Sequence, residues 1–204
     1  MSRDPVRAAS QFFGGRVCLD FANTLDWRTS GAPQELIPDY GALLSWSRAR
    51  RTLPPHALAR LTAKAAGKPS AATAVMRQGR ALRDEICRAA EALCRGRHLD
   101  LAAFNRRLAA MPAQPRLVWS GRGYVHDLPG LTLDEPLWPV LWSLTALLSS
   151  EDAARLGSCQ AQGCGWFFVD ESPNRSRLWC SSGVCGNRER ARRAYAKRRS
   201  APSP

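Results

Sequence analysis

Before residue 158, apolar positions recur mostly at helical spacing; after it a cysteine pattern takes over. Pro38 and Asp39 open a stretch carrying Leu43, Leu44 and Trp46, which the basic run Arg48 to Arg51 and Pro54 close. Pro55 to Ala66, rich in Ala and Leu, predicts a second helix ending at Gly67. A long helix is predicted from Ser70, a candidate N-cap, to Arg95, with Gly96 as its terminator. Its apolar positions are Val75, Leu82, Ile86, Cys87, Ala90, Leu93 and Cys94. Asp100 to Ala110 predicts a shorter helix with Leu101, Phe104 and Leu108 on one face. The period then changes. Leu117 and Trp119 on one side, Tyr124 and Val125 on the other, flank Ser120-Gly121-Arg122-Gly123, which predicts a hairpin. Asp134 to Ser150 returns to helix through Trp138, Leu141, Trp142, Thr145 and Leu148. Arg16 to Phe21 fits a strand or a helix start, and periodicity does not decide between them. The first ten residues and Ser200 to Pro204 are expected to be disordered tails.

At 204 residues the chain has room for one domain of about 150 residues plus a small module. With 45% apolar and 23% charged residues it can bury a real core. Met1 to Gly15 holds no apolar run of signal-peptide length. The longest uncharged stretch, Pro136 to Ser150, is 15 residues, short of the roughly 20 that a membrane helix needs. A cytoplasmic protein with no membrane partner is therefore expected. In that reducing setting its seven cysteines favour metal ligation over disulfides.

The formal charge is +13, which makes polyanions the first partners to consider. Residues 172–204 hold nine basic side chains and one acidic, so more than half of the excess sits in the last sixth of the chain. The cysteines concentrate just before it. Cys159-x4-Cys164-x15-Cys180-x4-Cys185 offers two matched pairs, and four thiolates satisfy a tetrahedral zinc ion. Such a site has no open position for water, so one structural zinc is expected. Gly163 and Gly165 flank Cys164, and Gly183 and Gly186 flank Cys185, where positive φ would turn amides toward the sulfurs. Trp166-Phe167-Phe168-Val169 predicts a short strand between the pairs. The alternative is ordinary buried cysteines or a redox pair. Cys87 and Cys94, seven apart, and Cys18 in an apolar context are expected in the core. A boundary near Gly157 divides the chain into a domain over residues 1–156 and a module over 157–204.

Gly186 to Arg199 is rich in helix formers and lacks proline, predicting a helix about 20 Å long. Arg188, Arg190, Arg192, Arg193, Lys197, Arg198 and Arg199 make it a candidate DNA-binding element, with Arg175 and Arg177 adding from the preceding loop. Six phosphate contacts would give a log–log salt slope of about −5. A solvated charged face is the bland reading. The pattern does not separate DNA from RNA or from an acidic protein.

Cys164-Gly165-Trp166-Phe167-Phe168-Val169-Asp170, Ser172-Pro173-Asn174-Arg175-Ser176-Arg177 and Cys185-Gly186-Asn187-Arg188 resemble the CGNR zinc finger. Gly14-Gly15-Arg16-Val17-Cys18-Leu19-Asp20-Phe21-Ala22-Asn23-Thr24 resembles the start of the ABATE domain, which precedes that finger in bacterial proteins. The resemblance spans nearly the whole chain and implies a stress-induced transcriptional regulator whose finger binds DNA. Pro173 between the cysteines and Glu189 in the basic run depart from the pattern without removing a ligand. Asn187 could bond the turn around Cys185, Arg188 could clamp Asp170 or a phosphate, and Asp170 could pair with an arginine.

Asp20, Asn23 and Trp27, spaced i, i+3, i+7, would share a helix face and are candidates for the wall of a small-ligand pocket, or else for a cap and a buried hydrogen-bond network. His56, His98 and His126 have no metal-spaced partner, and no nucleophile–base motif, P-loop or dinucleotide fingerprint is present. The expected fold is α+β: a mostly α-helical N-terminal domain with a small β-hairpin, plus a C-terminal treble-clef-like four-cysteine zinc finger ending in a basic helix. The expected function is a DNA-binding regulator, not an enzyme, with an N-terminal domain that senses an effector or forms a homodimer. The competing readings are a ligand-binding protein or enzyme with an accessory finger, and an RNA- or protein-interaction module.

Overall fold

A computed structural model describes residues 11–110, 116–119, 121–127 and 132–199. Both expected disordered tails, and Ser120 of the hairpin turn, lie outside the described residues. Seven helices and three two-stranded antiparallel sheets are present among them. Arg16 to Phe21 resolves as the start of α1 (Val17–Ala22), of which Cys18 through Ala22 are buried. A short pair, β1 (Leu25–Asp26) and β2 (Gln34–Glu35), leads to α2 (Tyr40–Arg50). Asp39 caps α2 by accepting the Ala42 N–H at 2.8 Å. α3 (Pro55–Ala66) and α4 (Pro69–Cys94) follow.

α4 starts with Pro69 and has Lys68 at its N-cap, so the expected cap Ser70 lies inside the first turn. It ends as the sequence predicts: Gly96 takes φ +66 and donates its N–H to the Leu93 carbonyl. α5 is shorter than expected (Ala102–Ala109), because the Asp100 carboxylate holds the Ala102 N–H and Leu101 stays exposed at the cap. The hairpin β3 (Arg116–Trp119) and β4 (Tyr124–Asp127) pairs Trp119 with Tyr124 across the turn. A 3₁₀ turn (Glu135–Leu137) then leads into α6 (Trp138–Leu148). The buried side of α6 is Val140, Leu141, Leu144 and Leu147, not the face through Trp138, Trp142 and Thr145. Both faces of this segment are apolar, so neighbouring elements decide which one goes inside.

α1 packs between α4 and α6 at the centre of a core holding Leu19, Phe21, Trp46, Leu61, Ile86 and Val140. Cys18 belongs to that core, and burial pushes its thiol up to about 11. Cys87 is half-buried against the same core, whereas Cys94 is exposed, contrary to expectation, because it stands in the last, open turn of α4.

After a second 3₁₀ turn (Glu151–Arg155), β5 (Leu156–Ser158) pairs with β6 (Phe167–Val169) around the first cysteine pair. The second pair sits at a π-type turn (Ser182–Gly186) that runs into α7 (Asn187–Arg199). β6 is buried on both faces. Its period of two sends Phe167 and Val169 into the helical core, and Trp166 and Phe168 into a second core built around the four cysteines. Phe12 and Phe13 split in the same way. No helix among the described residues is long and apolar enough to cross a membrane.

Candidate metal centre and basic face

The four cysteines are buried and their Sγ atoms all lie within 4.8 Å of one another. Cys180 to Cys185 is 3.5 Å, Cys185 to Cys164 3.7 Å and Cys164 to Cys180 3.8 Å. A tetrahedron with about 2.3 Å metal–sulfur bonds has edges of about 3.8 Å, so the set fits one zinc ion. No disulfide joins any of the four. With four sulfurs as ligands, the ion they hold is structural.

The two pairs reach this geometry differently. At the first, Gly163 and Gly165 take φ +78 and +66, as expected, and side chains of the helical body press on both. A Cβ on Gly163 would stand 2.9 Å from the Trp27 ring, and one on Gly165 would collide with Thr29. At the second, Gly183 and Gly186 keep ordinary backbone angles, since the π-type turn supplies the curvature and Ser181 Oγ caps it by accepting the Val184 N–H. A Cβ on Gly186 would crowd Trp179 at 3.1 Å.

Polar groups around the cluster each serve a definite contact. Asn187 Nδ2 donates to the Gly183 carbonyl at 2.8 Å, so it bonds the turn around Cys185. Glu189 is buried; one carboxylate oxygen accepts the Gln162 N–H and the other pairs with Arg192. Burial alone would raise its pKa, but these donors outweigh it and hold it below the ordinary carboxylate range. The residue that interrupts the basic run therefore ties the first turn of α7 to the first knuckle. Nothing in the local sequence marks that role beyond its being the one acid among arginines.

Asp170 is similarly held low: the Ser172 hydroxyl and the Ser172 and Arg177 backbone N–H groups overcome the effect of burial. Its partner is the backbone of Arg177, not a guanidinium. The Arg177 guanidinium instead donates to the Val169, Trp179, Phe13 and Cys180 carbonyls and lies 4.2 Å from the Phe168 ring centroid. It clamps the loop before Cys180 from within. Arg188 stacks at 4.3 Å on Trp27 and reaches the Gln162 carbonyl, and does not clamp Asp170. Arg190 bonds Asn187 and the Ser182 carbonyl. Arg193, Lys197, Arg198 and Arg199 are exposed along the rest of α7, Arg199 against Tyr195, and Arg175 is exposed at φ +48 in the loop.

Asp20, Asn23 and Trp27 do not share a helix face, because α1 stops at Ala22 and Asn23 is its C-cap. Asp20 accepts the Gly14 N–H at 2.8 Å and Arg50 Nε at 2.8 Å; burial nevertheless raises its pKa. Asn23 reaches across to β6, donating to the Phe167 carbonyl at 2.9 Å and accepting the Phe167 N–H at 2.8 Å. Trp27, at φ +52, lies under Arg188. Two of the three thus join the helical body to the finger. Arg28 adds to that seam with two bonds to the Gly165 carbonyl and a cation–π contact at 4.3 Å on Phe167. Val169 N–H donates to the Gly14 carbonyl, and Asp170 N–H to the Arg155 carbonyl.

Comparison with known proteins agrees with this architecture. Residues 15–151 match the family ABATE, described as "Putative stress-induced transcription regulator", and residues 155–198 match the CGNR zinc finger. A search of curated proteins found no match.

Proposed function

This chain belongs to the ABATE family and ends in a CGNR zinc finger, and from that membership we propose that it is a bacterial, cytoplasmic transcriptional regulator that binds DNA through α7. The observation that carries the reading is α7 itself. Its first turn is fixed by Cys185, Asn187 and Glu189 to the metal centre, and its remaining turns expose arginines with no hydrophobic face to bury. Mutual repulsion along such a helix is relieved by a phosphate backbone, and a fixed start holds the helix at one angle to it. The helical body is the part that receives a signal or a second copy of the chain.

Arg193, Lys197 and Arg198 are chosen for the test because they are exposed beyond the first turns of α7, whereas Arg188, Arg190 and Arg192 hold side chains and backbone of the finger itself. Replacing those three with alanine should weaken duplex binding in a mobility-shift titration. It should also flatten the log–log salt slope by about 2.7, roughly 0.9 for each lost contact. Unchanged affinity and slope in that variant would remove α7 from the interface.

A further inference from the structure

We propose that the cleft beneath the β3–β4 hairpin binds a small organic anion, a carboxylate or phosphate carried on an apolar body. This gives a chemical class to the effector and rests on the sensing half of the reading above, not on DNA binding by α7. Two cavities of 450 and 330 Å³ adjoin there and share Arg51 and Val125 in their walls. Their sizes are those of small-ligand sites.

The lining is of two kinds. Arg48, Arg51 and Arg122 stand around the larger cavity, with Leu53, Leu58 and Val125 between them; Trp142 and Tyr124 extend the apolar wall into the smaller one. Among the described residues lining either cavity there is no Asp or Glu. Several body arginines elsewhere meet carboxylates: Arg16 with Asp152, Arg28 with Glu91, Arg83 with Glu35, Arg107 with Glu85. Even Arg50, which lines the smaller cavity, is engaged by Asp20. Arg48, Arg51 and Arg122 have no such partner among the described residues.

The helix dipole accounts for a cation at the end of α2. It does not account for Arg122, which comes from the hairpin turn, nor for the backbone of Arg51. Arg51 ends α2 at φ 56, ψ 45, a left-handed conformation in which glycine or asparagine is the usual residue. A strained backbone kept at a cationic residue beside a cavity fits a ligand clamp. Guanidinium groups pair bidentately with carboxylate or phosphate, and the leucine and tryptophan walls would cover the rest of the molecule. An inorganic ion would leave those walls unused.

The test uses the full zinc-loaded chain in titration calorimetry, with phenyl phosphate, inorganic phosphate and phenol as probes. Phenyl phosphate should bind at one per chain, inorganic phosphate at least tenfold more weakly, and phenol without measurable heat. Arg122→Ala and Arg51→Gly should each weaken phenyl phosphate at least tenfold. Arg51→Gly keeps the left-handed turn and so separates loss of charge from loss of fold: the free protein should melt no lower than wild type while the ligand-induced shift in Tm disappears. Equal binding of inorganic and phenyl phosphate, or undiminished phenyl phosphate binding in both variants, overturns the proposal. So does displacement of phenyl phosphate by duplex DNA together with equal weakening of both by Arg122→Ala, which would assign the cleft to the DNA track. The alanine variant of Arg193, Lys197 and Arg198 should retain phenyl phosphate binding whatever happens to DNA.

Discussion

The helical body and the finger lie on opposite faces of the same strand, yet they are held by different means. The body closes on hydrocarbon: Leu19, Leu61, Ile86 and Val140 are fully buried at the meeting of α1, α3, α4 and α6. The finger has Trp166, Phe168 and Ala161, with Leu36 packed in from the body, and its centre is four sulfurs. That is too little apolar surface to order so short a segment without a staple. The body's order thus follows from its own sequence, while the finger's follows from sequence and metal together. Because β6 belongs to both, neither is independent of the other.

Removing the metal should break the comparison most strongly. Zinc contributes on the order of 10–16 kcal/mol to isolated finger peptides. Chelation, or Cys180→Ser, should melt the 13-residue α7 and the turn before it while α4 persists. Elemental analysis with far-UV circular dichroism reads both. Full zinc retention by Cys180→Ser would show that the four sulfurs do not act as one site. The body should also melt lower, since Phe167 and Val169 lose their strand.

A pair of substitutions sharpens the contrast. Leu141→Ala opens a cavity in the body and should cost about 2–5 kcal/mol with zinc content unchanged. Asn23→Ala leaves the N–H and C=O of Phe167 buried and unpaired, at about 1–3 kcal/mol each. Unlike Leu141→Ala, it should speed zinc loss to a competing chelator. Equal chelator kinetics in the two variants would mean that the seam transmits nothing.

The smallest effect is electrostatic and confined to the body. Burial tends to raise the pKa of Glu35, but the ion pair with Arg83, at 2.5 Å, and the Ile37 N–H hold it below its ordinary 4.5. A depressed carboxylate contributes stability above its unfolded pKa and loses it as pH falls through the folded value. Melting temperature should therefore drop below about pH 4.5, and Glu35→Gln should flatten that acid limb without touching zinc binding. An acid limb as steep in Glu35→Gln as in wild type would place the titrating group elsewhere.

The metal set was legible because cysteine pairs declare themselves by spacing, and α4 because its period runs through many turns. Long-range pairing left no such local trace. Arg177 sits in a basic loop and looks like a phosphate contact, but it serves a carbonyl 164 positions away, at Phe13. The side of α6 that would be buried was undecidable in a segment apolar all round. Asp20, Asn23 and Trp27 suggested one helix face, and only the end of α1 at Ala22 sends their side chains to three different partners. The cleft under the hairpin also escaped the sequence, since Arg48 and Arg122 are 74 residues apart and meet only through the fold.

The grip of Asn23 on Phe167 has a consequence for modularity. Zinc fingers invite treatment as interchangeable cassettes, cut at a linker and grafted onto other proteins. Here the excised piece would carry a strand with one bare aromatic side and an amide and carbonyl waiting for a distant asparagine. Transplanting this finger requires bringing along the helix that ends at Ala22 and the asparagine that caps it.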